Sequence, residues 1–122
     1  MNKIKIRKAD TVFSNYIRTK ANWTCQRCGK HYDPPTTSLQ CCHFHSRRKE
    51  SVRFDIDNVQ CMCYGCHAYI DSHPLEKVEY FKKILGEKSF DDLTLRANIT
   101  RKKDDALQII IYTKLLEEIT HT

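Results

Sequence analysis

Cys42-His43-Phe44-His45, Arg53-Phe54-Asp55 with Asn58, and Cys63-Tyr64-Gly65-Cys66-His67 form the stretch that decides the fold, and Cys25-Gln26-Arg27-Cys28 upstream completes it. Two thiolates separated by two residues can reach one metal ion from a tight turn, so each Cys-x-x-Cys pair is half of a tetrahedral site. Gly29 follows the first pair at once and tolerates the positive φ such a turn needs. Two pairs in one short chain predict a closed structural zinc site of Cys25, Cys28, Cys63 and Cys66. That leaves Cys41, Cys42 and Cys61 of the seven cysteines. Cys61 is a rival ligand through Cys61-Met62-Cys63, but at a poorer spacing. Cys41 and Cys61 lie on the two expected strands and read as small buried residues.

An odd number of cysteines suits metal binding better than a disulfide framework. The expected location is the cytoplasm, where thiols stay reduced, because no secretory signal is read. The basic N-terminus has no apolar segment after it, so it does not read as a secretory signal. No run approaches the ~18 apolar residues of a spanning helix, so no membrane partner is expected. With 122 residues, 40% hydrophobic and 30% charged, the chain suits one domain. Its net charge of +6 favours a polyanionic partner, although a basic protein need not bind nucleic acid.

The parts expected within that domain are a basic arm and helix over 1–22, a zinc-bound core over 23–73 and a helical extension over 74–122. Met1 to Lys8 alternates basic and apolar residues, as an edge strand or a basic arm would. Asp10 or Thr11 is the expected cap of a helix to about Asn22, with Val12, Phe13, Tyr16, Ile17 and Ala21 inward and Trp23 as its anchor. Leu39 to His45 reads as a strand, Val52 to Phe54 as the start of its return and Val59 to Met62 as the approach to the second cysteine pair. A helix should begin near Cys66 and run to about Asp71. Pro74 should open the next, with Leu75, Val78, Phe81 and Leu85 inward and Gly86 as its stop. Ser89-x-x-Asp92 resembles a capping box for a further helix. Asp104 or Asp105 should cap the last, where Leu107, Ile111, Leu115 and Ile119 share a face that is either packed internally or a homodimer surface. The fold class is α+β.

A zinc-pinned hairpin and helix would bring His43, Asn58 and His67 together. Asn58-x4-Cys63-x-x-Cys66-His67, with His43 upstream, resembles the HNH (ββα-metal, or His-Me finger) endonuclease family residue for residue. The likeness spans about Trp23 to Gly86 and is greatest to phage HNH proteins and NinG-type recombination proteins. It implies a ββα-metal core and a metal-dependent, phage-encoded DNA endonuclease acting on branched or recombination intermediates. His43 would be the general base, Asn58 would pin the hairpin and orient His43, and His67 would hold a catalytic Mg²⁺ or Mn²⁺.

Cys42 departs from the pattern, since many members carry Asp or His there as a second ligand. A thiol suits Mg²⁺ poorly and a softer ion such as Zn²⁺ or Ni²⁺ better. Asp71 falls on the His67 face one turn on and is the first candidate to complete the ligand set, against a reading as a solvated helix residue; His45 and His73 come next. Arg47, Arg48, Lys49 and Arg53 lie in the loop beside His43 and would bind DNA phosphates, or else form a solvated charged loop. The weakened ligand at Cys42 also admits a zinc-stabilised DNA-binding module without cleavage.

Overall fold

A two-stranded antiparallel sheet lies at the centre of the computed structural model, which describes residues 4–120. Five helices surround it, so the protein is α+β. Of the basic arm, residues 1–3 lie outside the described residues, and Ile4 to Arg7 form neither strand nor helix. Side chains nevertheless anchor that segment. Arg7 makes two hydrogen bonds to the Glu50 carboxylate at 2.9 and 3.0 Å, and the Lys5 carbonyl accepts from Arg53.

Helix α1 spans Lys8–Lys20 and starts before the expected Asp10 cap. Asp10 is instead the third helical residue, where its carboxylate accepts the Arg7 backbone N–H at 2.8 Å. Phe13, Tyr16 and Ile17 are buried along the expected face. The helix ends where Asn22 and Trp23 adopt φ of 54° and 53°, and Trp23 packs against the main core.

Strand β1 (Leu39–His43) pairs with β2 (Val59–Cys63), from Leu39 opposite Cys63 to His43 opposite Val59. Strand β1 stops two residues short of the expected His45, and β2 runs one residue past the expected Met62. Val52 to Phe54 do not begin the return, because 3₁₀ turns at Glu50–Val52 and Ile56–Asn58 occupy the connection. The Asp55 carboxylate caps the second turn by accepting the Asp57 N–H at 3.0 Å.

Helix α2 (Tyr64–Asp71) leaves β2 without a loop, two residues before its expected start. Pro74 opens α3 (Pro74–Leu85), which stops at Gly86 with φ +83°, as the sequence predicts. Only Phe81 is buried there; Leu75 is 82% exposed. Each step of three residues rotates the stripe by about 60°, which carries Leu75 well around the helix from Phe81. Helix α4 (Glu87–Ala97) begins directly after Gly86, so Ser89 caps nothing and Asp92 pairs with Lys88 at 2.9 Å. Phe90, Leu93 and Ala97 turn inward, and Val52 packs with Leu93 and Ala97.

Helix α5 (Asp105–Thr120) is capped by Asp104, whose carboxylate accepts the Leu107 N–H at 3.2 Å. Its buried residue is Tyr112, flanked by the partly buried Ile109, Leu116 and Ile119. Of the face shared by Leu107, Ile111, Leu115 and Ile119, Leu115 and Ile119 pack against the core, whereas Leu107 and Ile111 are 48% and 38% exposed. The inward line follows 3–4–3 steps through Tyr112, whose ring meets that of Phe13 at 4.7 Å. The last helix therefore packs against α1. No helix among the described residues is long and apolar enough to cross a membrane.

Candidate metal centres and a neighbouring cleft

The first cysteine pair is held by a backbone turn in which Gly29 N–H donates to the Cys25 carbonyl at 2.8 Å, with Gly29 at φ +81°. Gln26 then docks this turn on β2. Its N–H donates to the Cys61 carbonyl at 2.8 Å, and its side-chain oxygen accepts the Cys61 N–H at 2.7 Å. Cys63 ends β2 and Cys66 lies in the first turn of α2, so all four predicted sulfurs meet within 4.8 Å of one another. Cys28 and Cys63 are 3.9 Å apart. Zinc–sulfur bonds of about 2.3 Å require sulfurs roughly 3.8 Å apart in a tetrahedron, a spacing the Cys28–Cys63 pair already has and the whole set approaches.

The cluster also carries the donors a thiolate centre needs. Cys28 N–H points at Cys25 Sγ (3.4 Å), and the Arg27 guanidinium, stacked over Tyr69, donates to Cys66 Sγ at 3.3 Å. Burial opposes ionisation of Cys25, but backbone N–H groups of Cys28, Cys63 and Arg27 bring its thiol down to about 6. Burial drives Cys66 the other way, to about 12. One thiolate thus forms readily while Cys66 resists, as expected of coupled thiols without a cation. Cys61 lies outside the cluster in the main core, where burial raises its thiol to about 11; Cys41 rises to about 12.

A second set forms where β1 meets α2. Cys42, His67 and Asp71 each place one ligand atom within 4.8 Å of the others. His67 Nδ1 lies 2.7 Å from Gln40 Oε1, an acceptor that makes Nδ1 the protonated nitrogen. Nε2 then faces Asp71 Oδ2 at 3.1 Å, a juxtaposition completed by a proton or by a cation that both atoms bind. A histidine whose far N–H is held by an oxygen acceptor is arranged as metal-ligating histidines usually are. Lys77 Nζ reaches the other Asp71 oxygen at 2.8 Å. Burial and, less strongly, Asp71 raise the Cys42 thiol to about 12, so it is neutral without an ion. His45 and His73 do not join: His45 packs against Phe44, and His73 stacks on Tyr69.

His43 ends β1 with its ring near Phe13. Its Nε2 lies 3.0 Å from the Arg53 carbonyl, which can only accept, so Nε2 carries the proton and Nδ1 the lone pair. Burial first, and then the Arg47 charge, lower its pKa to about 4, keeping the ring neutral at neutral pH. Asn58 is completely buried and clasps the loop rather than the imidazole. Its oxygen accepts His45 N–H at 2.8 Å, while its amide donates to the carbonyls of His45 (2.9 Å) and Val52 (3.0 Å).

Arg53 corrects the phosphate-contact expectation. Its guanidinium is buried, holds Asp10 at 2.6 and 2.9 Å, and donates to the Arg47 and Lys5 carbonyls. It therefore positions the backbone that orients His43 and is closed to a ligand. Arg48 and Lys49 are exposed, and Arg47 is half-buried, 3.5 Å from Asp10.

His43, Arg47, His67, Asp71 and Lys77 line one open cleft of ≈ 430 Å³. A larger hollow of ≈ 570 Å³ beside α5 is lined by none of the histidines or cysteines. Gln40 and Lys77 are the site residues that sequence reasoning missed. Strand alternation was the available signal for Gln40, but nothing in the sequence ties Lys77 to Asp71. No protein-family model, curated protein or solved structure matches the chain.

Proposed function

We propose that this chain is a metal-dependent endonuclease of the HNH, or ββα-metal, kind, hydrolysing phosphodiester bonds in DNA. The observation that carries the reading is the shared cleft: a neutral imidazole of defined tautomer lies with His67, Asp71 and the Arg47 cation, and the buried Cys42 thiol places its sulfur within 4.8 Å of the ligand atoms of His67 and Asp71. His43 Nδ1 accepts a proton from water, the resulting hydroxide oxygen bonds to phosphorus, and the P–O3′ bond breaks with its electrons leaving on the 3′-oxygen. Cys42, His67 and Asp71 would hold an ion supplying positive charge for the developing phosphorane and leaving oxygen. Asn58 and Arg53 keep the loop and His43 in place, and Arg47 with the exposed Arg48 and Lys49 attracts the backbone. The HNH resemblance favours branched or recombination DNA, and a phage origin, as the setting.

The ligand chemistry narrows the metal. A thiol, an imidazole and a carboxylate suit Mn²⁺, Co²⁺ or Zn²⁺ better than Mg²⁺, which prefers oxygen alone. The same buried thiol favours a second reading, a zinc-stabilised DNA-binding module without cleavage. Incubation of supercoiled plasmid and four-way-junction DNA with Mn²⁺, Co²⁺, Mg²⁺ or EDTA separates the two. We expect cleavage strongest with Mn²⁺ or Co²⁺, abolished by EDTA and reduced about 10²–10⁴-fold by His43→Ala, with binding retained. Binding without cleavage under every ion would establish the module instead.

A further inference from the structure

We infer that Lys77 is the exchangeable counter-cation of the second metal centre: it holds Asp71 until an ion arrives, then turns to a substrate phosphate. The inference rests on the phosphodiester reading of the cleft. Three observations carry it. The ammonium is 2.8 Å from Asp71 Oδ1, while the other oxygen of that carboxylate faces His67 Nε2 at 3.1 Å, so one side chain serves both the ion pair and the ligand set. The Lys77 side chain is only 17% exposed, so the ammonium is held beside the ligand set and not in open solvent. It also lines the cleft with His43 and Arg47, so an ammonium released from Asp71 remains where a phosphodiester would pass.

Two cations beside one carboxylate repel each other. A divalent ion bound by Asp71 must therefore weaken the Lys77 pair, and the long flexible stem of lysine lets the charge move without unwinding α3. Lys77 belongs to α3 whereas the ligands belong to β1 and α2, so the exchange needs no change in either metal-bearing element.

The test uses full-length protein with its four-cysteine site filled with zinc, titrated with Mn²⁺ or Co²⁺ by calorimetry without DNA. Lys77→Met keeps the apolar stem and should bind the second ion about tenfold tighter, while Lys77→Arg should stay near wild type. The d–d and sulfur-to-cobalt absorption of the second Co²⁺ equivalent, lost in Cys42→Ser, assigns the site independently of activity. In salt titrations with a short DNA duplex, Lys77→Met should lower affinity in the metal-loaded state, with a salt slope smaller by about one. Unchanged or weaker binding of the second ion by Lys77→Met would overturn the exchange, as would an unchanged salt slope. Wild-type protein that takes two ions but binds no DNA would refute the phosphodiester reading, whereas a failure confined to the Met variant refutes the exchange alone.

Discussion

Asn58 and Asp10 show how single buried polar groups set this site. The Asn58 amide uses both N–H groups and its oxygen on three backbone partners of the connecting loop. Asn58→Ala strands those partners and should cost about 2–3 kcal/mol in urea unfolding. Asn58→Asp, nearly the same size but without donors, should also destabilise, which distinguishes lost hydrogen bonds from lost volume. Asp10 gives a pH signature. Burial would raise its carboxyl, but hydrogen bonds and charge from Arg53, the Arg7 N–H and Arg47 together hold it below its ordinary value. Its stabilising contribution is then complete above the unfolded pKa of about 3.9 and is lost as pH falls through the lower folded value. Asp10→Ala leaves the Arg53 charge buried and should cost about 3–5 kcal/mol at neutral pH. Unfolding free energies measured from pH 7 down to 2 should show the gap between variant and wild type narrowing only below about pH 4. A constant gap would mean the pair does not titrate as described.

Among the elements, α5 has the clearest testable role. Tyr112 inserts between Phe13 and Tyr16 of α1, and its hydroxyl donates to the Phe54 carbonyl, next to the Arg53 carbonyl that orients His43. Burial pushes the hydroxyl up to about 12, so it stays a donor throughout the physiological range. Tyr112→Phe should lose about 1 kcal/mol, the net value of one hydrogen bond. Tyr112→Ala should lose about 3–5 kcal/mol through the cavity it leaves. Under conditions where both variants remain folded, DNA cleavage should fall for the alanine variant and stay near wild type for phenylalanine. Equal cleavage by both would detach α5 from the site. A parallel brace holds α4, where Arg96 meets Asp55 at 2.7 Å and Asp57 at 3.2 Å and so ties the helix to the 3₁₀ turn that ends at Asn58.

For the whole molecule, the four-cysteine centre joins two segments far apart in sequence: the turn at Cys25–Cys28 and the β2–α2 junction that carries Cys63 and Cys66. Metal binding to such a centre is folding energy, with apparent binding free energies of about 10–16 kcal/mol in zinc-finger peptides at neutral pH. Removing the metal with a strong chelator should therefore abolish Trp23 fluorescence changes and near-ultraviolet ellipticity typical of the folded state, and zinc or cadmium should restore them. Cys28→Ser should lower metal retention in the same way. Retention of native spectra after complete chelation would show that packing alone holds the hairpin.

How much of this was legible beforehand follows from the range of each interaction. Cys-x-x-Cys spacing, the Pro74 start, the Gly86 stop and the Asp104 cap act over a few residues, so the chain alone determined the four-sulfur set and several helix ends. Asp71 was also readable, because it lies one helical turn from His67. Other features depended on partners distant in sequence. Arg53 reads as a phosphate contact until Asp10 buries it, and Lys77 reads as surface until α3 brings it to Asp71. The inward face of α5 emerged only when Tyr112 met Phe13. Local backbone chemistry is written in neighbouring letters, whereas the burial of a charge or of one helix face depends on what the folded chain places opposite it.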